Sequence, residues 1–293
     1  MEYDIPILMS DVKTASDIYK NWQMTTSDPF GCDTDIRSYF GPTARWLLSA
    51  CLDGLHLLRS DNIAILTTTN ATYVPTCLTI ASFNFCGVSR VVTQHTRVAI
   101  IVHEHGFSYP SLREVCEALR LQGITIIEDC AHVFGLPIDD NCVVGSFGDY
   151  ALFSLSKIFP CASGGLIRSR RSLKLPDMTN AEAEITRHAK EVFVQWLPYY
   201  KELNNRRMSR HNIIASLLGQ QNIEIHSNYY ISWMTYFKTD AAIDLKTPLS
   251  KSIEFGATLR DDLILIPTNP LVEESRFMEL AGMLRKEMHD YDR

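Results

Sequence analysis

The sequence has no C-x-x-C pair, no apolar run long enough to cross a bilayer, no block of like charge, no internal repeat and no low-complexity linker. Eight cysteines, at positions 32, 51, 77, 86, 116, 130, 142 and 161, are scattered along the chain, several inside apolar runs. They read as reduced core residues rather than a disulfide framework or a metal site, which points to a cytoplasmic protein. The opening stretch MEYDIPILMSDVKTASDIYK is acidic and breaks its apolar run after a few residues, which predicts neither a signal peptide nor a membrane span. Lysine and arginine number 28 against 34 aspartate and glutamate, a net charge of −6. Without a basic footprint, nucleic acid is excluded as an expected partner.

What is present is an α/β pattern. At 293 residues and 46% hydrophobic content, the chain is long enough for one large domain and a smaller one. The runs IAILTTT (63–69), RVAIIVH (97–103) and GITIIED (123–129) read as buried strands with polar endings. SLREVCEALRLQ (111–122) has apolar residues at helical spacing, with Ser111 as N-cap and Glu114 completing a capping box. Strand, helix and strand make a βαβ unit. Repetition of that unit predicts a mostly parallel sheet flanked by helices, with ligands gathered outside the carboxyl ends of the strands. Residues 168–191 read as a loop and an exposed helix. The last segment reads as a strand, a turn and an amphipathic helix with Phe277, Leu280, Ala281 and Leu284 as its stripe.

The stretch ALFSLSKIFPCASGGLIRS (151–169) places Lys157 between an apolar run and a Gly-Gly pair. Such a lysine either covers apolar neighbours with its stem at the surface or is held in a dry pocket for its chemistry. Phe153, Leu155 and Ile158 read as core. Asp129 closing a buried strand serves equally as an exposed strand end, a helix cap or a functional carboxylate, and His132 three residues on is open to similar readings. Together, however, Asp129, His132 and Lys157 fall on consecutive strand ends. A lysine and a carboxylate at one site, with hydroxyls and a helix N-terminus nearby, are what pyridoxal phosphate (PLP) needs: an amine for its aldehyde, an acid for its pyridine nitrogen and donors for its phosphate.

In order along the chain, GPTARWLL (41–48), NATYVPTCLTIASFNFCG (70–87), VHEHGFS (102–108), IIEDCAHVFG, VGSFGDYALFSLSK, ASGGLI and NNRRMSRHNIIASLLG (204–219) resemble the motifs of the DegT/DnrJ/StrS-type aminotransferases. These are PLP enzymes of fold type I that mostly aminate nucleotide-linked keto-sugars. The resemblance implies a large PLP-binding domain over 1–215 and a shortened α+β domain over 216–293. It implies Lys157 as Schiff-base lysine and proton carrier, Asp129 against the pyridine nitrogen and His132 near the cofactor ring. Tyr73 would stack on that ring, while Thr43, Ala44 and either Ser154 or Ser156 would meet the phosphate. Asn205 would reach the phosphate of a partner subunit in a homodimer with shared sites, or else stand as an ordinary helix N-cap. No metal is implied.

The resemblance thus leads to an aminotransferase acting on small molecules, an amino acid donor and a keto-sugar or similar carbonyl acceptor, in secondary biosynthesis. Other PLP chemistry (lyase, dehydratase or racemase) and a non-catalytic PLP-fold subunit pairing with a full-length relative are the alternatives. Pro42 departs from the family's flexible glycine: it suits a first helical position and removes one N–H from the phosphate turn.

Overall fold

The computed structural model describes residues 9, 22–25, 28–30, 36–68, 73–139, 142–218, 234–238, 258–260 and 263–291. By its contacts the chain divides into two compact units: the described residues from Thr26 to Pro198, and those from Tyr199 onward together with the described residues up to Thr25. Among the described residues, no helix is long and apolar enough to cross a membrane.

The first unit begins with β1 (Arg37–Gly41), α1 (Ala44–Asp53), β2 (Asn62–Leu66), α2 (Tyr73–Phe83), β3 (Gly87–Ser89) and β4 (Thr96–Val102). It continues with α3 (Leu112–Leu121), β5 (Thr125–Asp129), β6 (Tyr150–Ser154), the single turn α4 (Leu155–Ile158), β7 (Gly165–Ser169) and α5 (Asn180–Trp196). The seven strands form one sheet in the order β1-β7-β6-β5-β4-β2-β3. Strands β6, β5, β4, β2 and β3 pair in parallel, while β7 is antiparallel to both β6 and β1. The expected α/β architecture with a mostly parallel sheet is therefore what the chain builds.

Burial on both faces explains the direction of pairing. Val98 to Val102 of β4 are all at most 1% exposed, as only a sheet covered on both sides allows. On one face, Leu47, Leu48, Cys51 and Leu52 of α1 and Leu78 and Ala81 of α2 close over Ile63, Ile65, Val98, Ile100, Ile127, Leu152 and Ile167. The seven described cysteines are free thiols, and five of them are buried.

Helix starts show where local chemistry decides. Thr43 is the N-cap of α1, its hydroxyl accepting from the Trp46 N–H at 3.0 Å. Pro42 therefore precedes the cap rather than occupying the first helical position expected for it, because the Thr43 side chain takes the capping bond. The capping box expected at Ser111 and Glu114 does not form. Ser111 does precede α3, but it is left-handed (φ 48°, ψ 42°) and its side chain makes no cap bond, since the hydroxyl reaches the first turn from an extended backbone. The chain does build one at Thr179 and Glu182, where α5 begins.

The second unit contains α6 (Tyr200–Leu218), an antiparallel sheet of β8 (Met234–Lys238), β9 (Thr258–Arg260) and β10 (Leu263–Pro267) in the order β8-β10-β9, and α7 (Glu274–Tyr291). The C-terminal strand, turn and helix appear as expected, with Phe277, Leu280, Ala281 and Leu284 buried at 0–4%. The buried Arg210 of α6 ties the two helices by donating to Glu274 Oε1 and to the Val272 carbonyl, each at 2.9 Å.

Candidate active site

The site is built where two neighbouring parallel strands end. Asp129 is the last residue of β5 and pairs with Leu152 of β6, whose last residue is Ser154. The single turn α4 follows at once, which keeps Ser156 and Lys157 at the same sheet edge. Facing them is the start of α1. A cavity of about 380 Å³ is lined by Thr43, Ala44, Arg45, Asp129, His132, Ser154, Ser156 and Lys157, with Cys77, Ser163 and Gly164 among its other walls.

The Gly-Gly pair makes that closeness possible. Gly164 has a φ of +132°, and a Cβ on it would meet Ala189 Cβ at 2.4 Å. A Cβ on Gly165 would meet the Ala44 nitrogen at 2.5 Å. The strand therefore packs directly on the N-terminus of α1, a contact only glycine permits. Ser163 adds a hydrogen bond from its hydroxyl to the Pro42 carbonyl at 2.6 Å. Lys157 and the turn before α1 are thus fixed to each other through this short segment.

Within the cavity, Lys157 Nζ lies 2.7 Å from His132 Nε2. The His132 Nδ1 accepts from the His105 backbone N–H at 3.0 Å, and the two imidazoles stack at 5.1 Å between centroids. Asp129 Oδ1 accepts from the Ala131 N–H at 3.0 Å, which orients the carboxyl group. Burial dominates both titrations. It lowers the Lys157 amine below its ordinary value against the pull of Asp129, and it raises the Asp129 carboxyl against the pull of Lys157. Each group is pushed toward its neutral form.

Of the residues singled out from the sequence, Thr43, Ala44, Asp129, His132, Ser154, Ser156 and Lys157 line this one cavity. Ser154 and Ser156 both line it, their hydroxyls 3.4 Å apart. Tyr73 opens α2, and its side chain lies outside the described residues. Asn205 is exposed on α6 in the second unit. It sits in the second turn of a helix that starts at Tyr200, so it is not an N-cap. Phe153, Leu155 and Ile158 are core, at 1%, 0% and 7% exposure.

Sequence reasoning passed over Arg45, which adds a cation to the wall on the first turn of α1. It also passed over Glu128, although an acid inside an apolar strand signals that partners must exist. Glu128 is fully buried and accepts backbone N–H bonds from Gly145 (2.8 Å), Phe147 (2.7 Å) and Gly148 (2.6 Å), the turn that leads into β6. His103 completes the set: its Nδ1 accepts from the Tyr109 N–H, so Nε2–H donates to Glu128 Oε2 at 3.2 Å. With Cys130 these residues cluster closely enough to hold a metal ion. The bonds already made account for them otherwise, since both His103 nitrogens are engaged and burial holds the Cys130 thiol protonated well above its usual range. Glu128→Ala strands three amides, so it is expected to cost on the order of 3 kcal/mol or more. A lower urea midpoint at an unchanged m-value would show it, and a midpoint like wild type would contradict the anchoring role.

Residues 64–172 match the model of the DegT/DnrJ/EryC1/StrS aminotransferase family, which confirms the resemblance over the segment carrying Asp129, His132 and Lys157. Over 100 residues, 32% of this chain and 23% of the relative, the sequence is 28% identical to L-glutamine:scyllo-inosose aminotransferase of Streptomyces griseus. Matches to the curated relatives span less than a third of those relatives' own lengths. Among solved structures, the aminotransferase TlmJ from Streptoalloteichus hindustanus superposes with a TM-score of 0.69 at 13% identity, covering 94% of this chain and 95% of that one. A Streptococcus pneumoniae structure described as a sugar aminotransferase in its PLP form gives 0.68 at 14% identity, with 94% of each chain covered. At these identities the likeness establishes the fold.

Proposed function

We propose that this chain is a PLP-dependent aminotransferase that moves an amino group from an amino acid donor to a keto-sugar or similar small carbonyl compound. The observation that carries the reading is the convergence of an amine, a carboxylate and an imidazole at one sheet edge, opposite the first turn of α1, in a cavity of about 380 Å³. The donor set suits the cofactor. The hydroxyls of Thr43, Ser154 and Ser156, the Arg45 guanidinium and the first-turn amides of α1 suit a dianionic phosphate. Lys157 suits the aldehyde and Asp129 the ring nitrogen. When bound, pyridoxal phosphate supplies an electron sink for the substrate's α-carbon.

The chain's own residues supply the rest. Asp129, its Oδ1 oriented by the Ala131 N–H, would hold the ring nitrogen and keep it protonated. A cation there reverses the effect of burial on Asp129 and keeps it ionised. Lys157 Nζ carries the proton between donor and acceptor atoms, a task favoured by an amine that burial has made less basic. Secondary biosynthesis is part of this reading, and the buried free thiols suit a reducing compartment such as the cytoplasm. The same reading makes the working unit a homodimer, in which the exposed Asn205 amide serves the partner's phosphate site.

The test is the visible spectrum of the purified chain. Added pyridoxal phosphate should give a visible band, which glutamine or glutamate should bleach as the amino group is taken up. Absence of the band would favour the non-catalytic subunit, and a band that no amino donor alters would favour other PLP chemistry.

A further inference from the structure

His132 stands between two nitrogens that constrain it differently. The His105 backbone N–H, 3.0 Å from His132 Nδ1, is a donor and nothing else. Nδ1 must therefore present its lone pair and carry no proton. A neutral imidazole then has its one proton on Nε2, and Nε2 lies 2.7 Å from Lys157 Nζ. An Nε2–H donor needs a lone pair opposite, and an ammonium group has none.

From this geometry we infer that the cofactor-free protein holds Lys157 as a neutral amine, its lone pair taken by His132 Nε2–H, with the His105 backbone amide as the positioning group that fixes the imidazole tautomer. A structural feature supports the role given to His105. Its backbone is left-handed (φ 54°, ψ 23°), a conformation uncommon outside glycine, at the residue whose amide donates to His132 and whose ring stacks on it. The groups facing Lys157 are Asp129 from β5, which favours the charged form, Arg45 from α1, which opposes it, Cys77 from α2, and His132. Asp129 is itself faced by His103 and Glu104. Burial outweighs the pull of Asp129.

The consequence is an amine ready to attack an aldehyde with no base needed to deprotonate it. That use rests on the aminotransferase reading, whereas the protonation state does not.

The test uses the full chain without cofactor. Reductive methylation with formaldehyde and cyanoborohydride, followed across pH and mapped by mass spectrometry, should label Lys157 at lower pH than the exposed lysines of the same sample. Histidine-selective 15N spectra should show His132 protonated on Nε2 and bare on Nδ1. His132→Leu, which removes the donor, should raise the pH of Lys157 labelling. His132→Gln can accept with Oε1 and donate with Nε2, so it should keep the labelling low, a rescue that a merely space-filling role would not give. Labelling of Lys157 in step with the exposed lysines, or a His132 proton on Nδ1, would overturn the inference. A neutral Lys157 that gives no coloured complex with pyridoxal phosphate would instead sink the aminotransferase reading and leave the inference standing.

Discussion

Replacing Lys157 with alanine should abolish the visible band with pyridoxal phosphate and reduce amino-group transfer by at least roughly 10²–10⁴-fold, the span usual for loss of a positioned proton carrier. The fold should survive. Lys157 belongs to the one-turn helix α4, whose buried residues Leu155 and Ile158 hold that turn in the core. Removing the buried amine relieves its desolvation cost but takes the acceptor from His132 Nε2–H; these oppose each other, so thermal stability should change little. Steady-state transfer measured beside a thermal melt separates the two effects. An alanine variant that keeps near-normal turnover would take Lys157 out of the chemistry.

Asp129→Asn should lower turnover on the order of 10²-fold, the scale on which a preorganised charge at a reacting centre acts, while leaving much of the cofactor bound. The amide keeps the size of the group and can still accept from the Ala131 N–H, but it cannot hold a cationic N–H by charge. The pH profile adds a second signature. Burial raises the Asp129 carboxyl above its ordinary value, so its charge is lost at a higher pH than that of an exposed aspartate. In the cofactor-free protein, where no ring cation opposes burial, uptake of pyridoxal phosphate should therefore weaken early as the solution is acidified, and the asparagine variant should lack that limb. Equal rates in the two proteins would remove Asp129 from the site.

Much of the site could be read from the chain because its parts are written as short segments at strand ends. Asp129 closes an apolar strand, Ser154 closes the next, and Lys157 follows within one turn, so the parallel order of β5 and β6 is enough to bring them together. Thr43 and Ala44 came from a motif whose local geometry, an N-cap before a helix, is also local in sequence. Residues whose roles depend on distant partners stayed hidden. Arg45 matters only because β7 meets the start of α1 through Gly164 and Gly165. Glu128 matters through a turn that lies 17–20 residues away. His105 acts through its backbone amide, which no side-chain pattern reports. The capping box at Ser111 failed for a related reason, since the residue pattern is present but the incoming backbone is left-handed.

The central claim is that the amine of Lys157 holds pyridoxal phosphate. Borohydride reduction of the protein with bound cofactor, followed by proteolysis and peptide mapping, tests it most directly. A single pyridoxyl group on the peptide containing Lys157 is the expected result. A label on another lysine, or none at all, would contradict it.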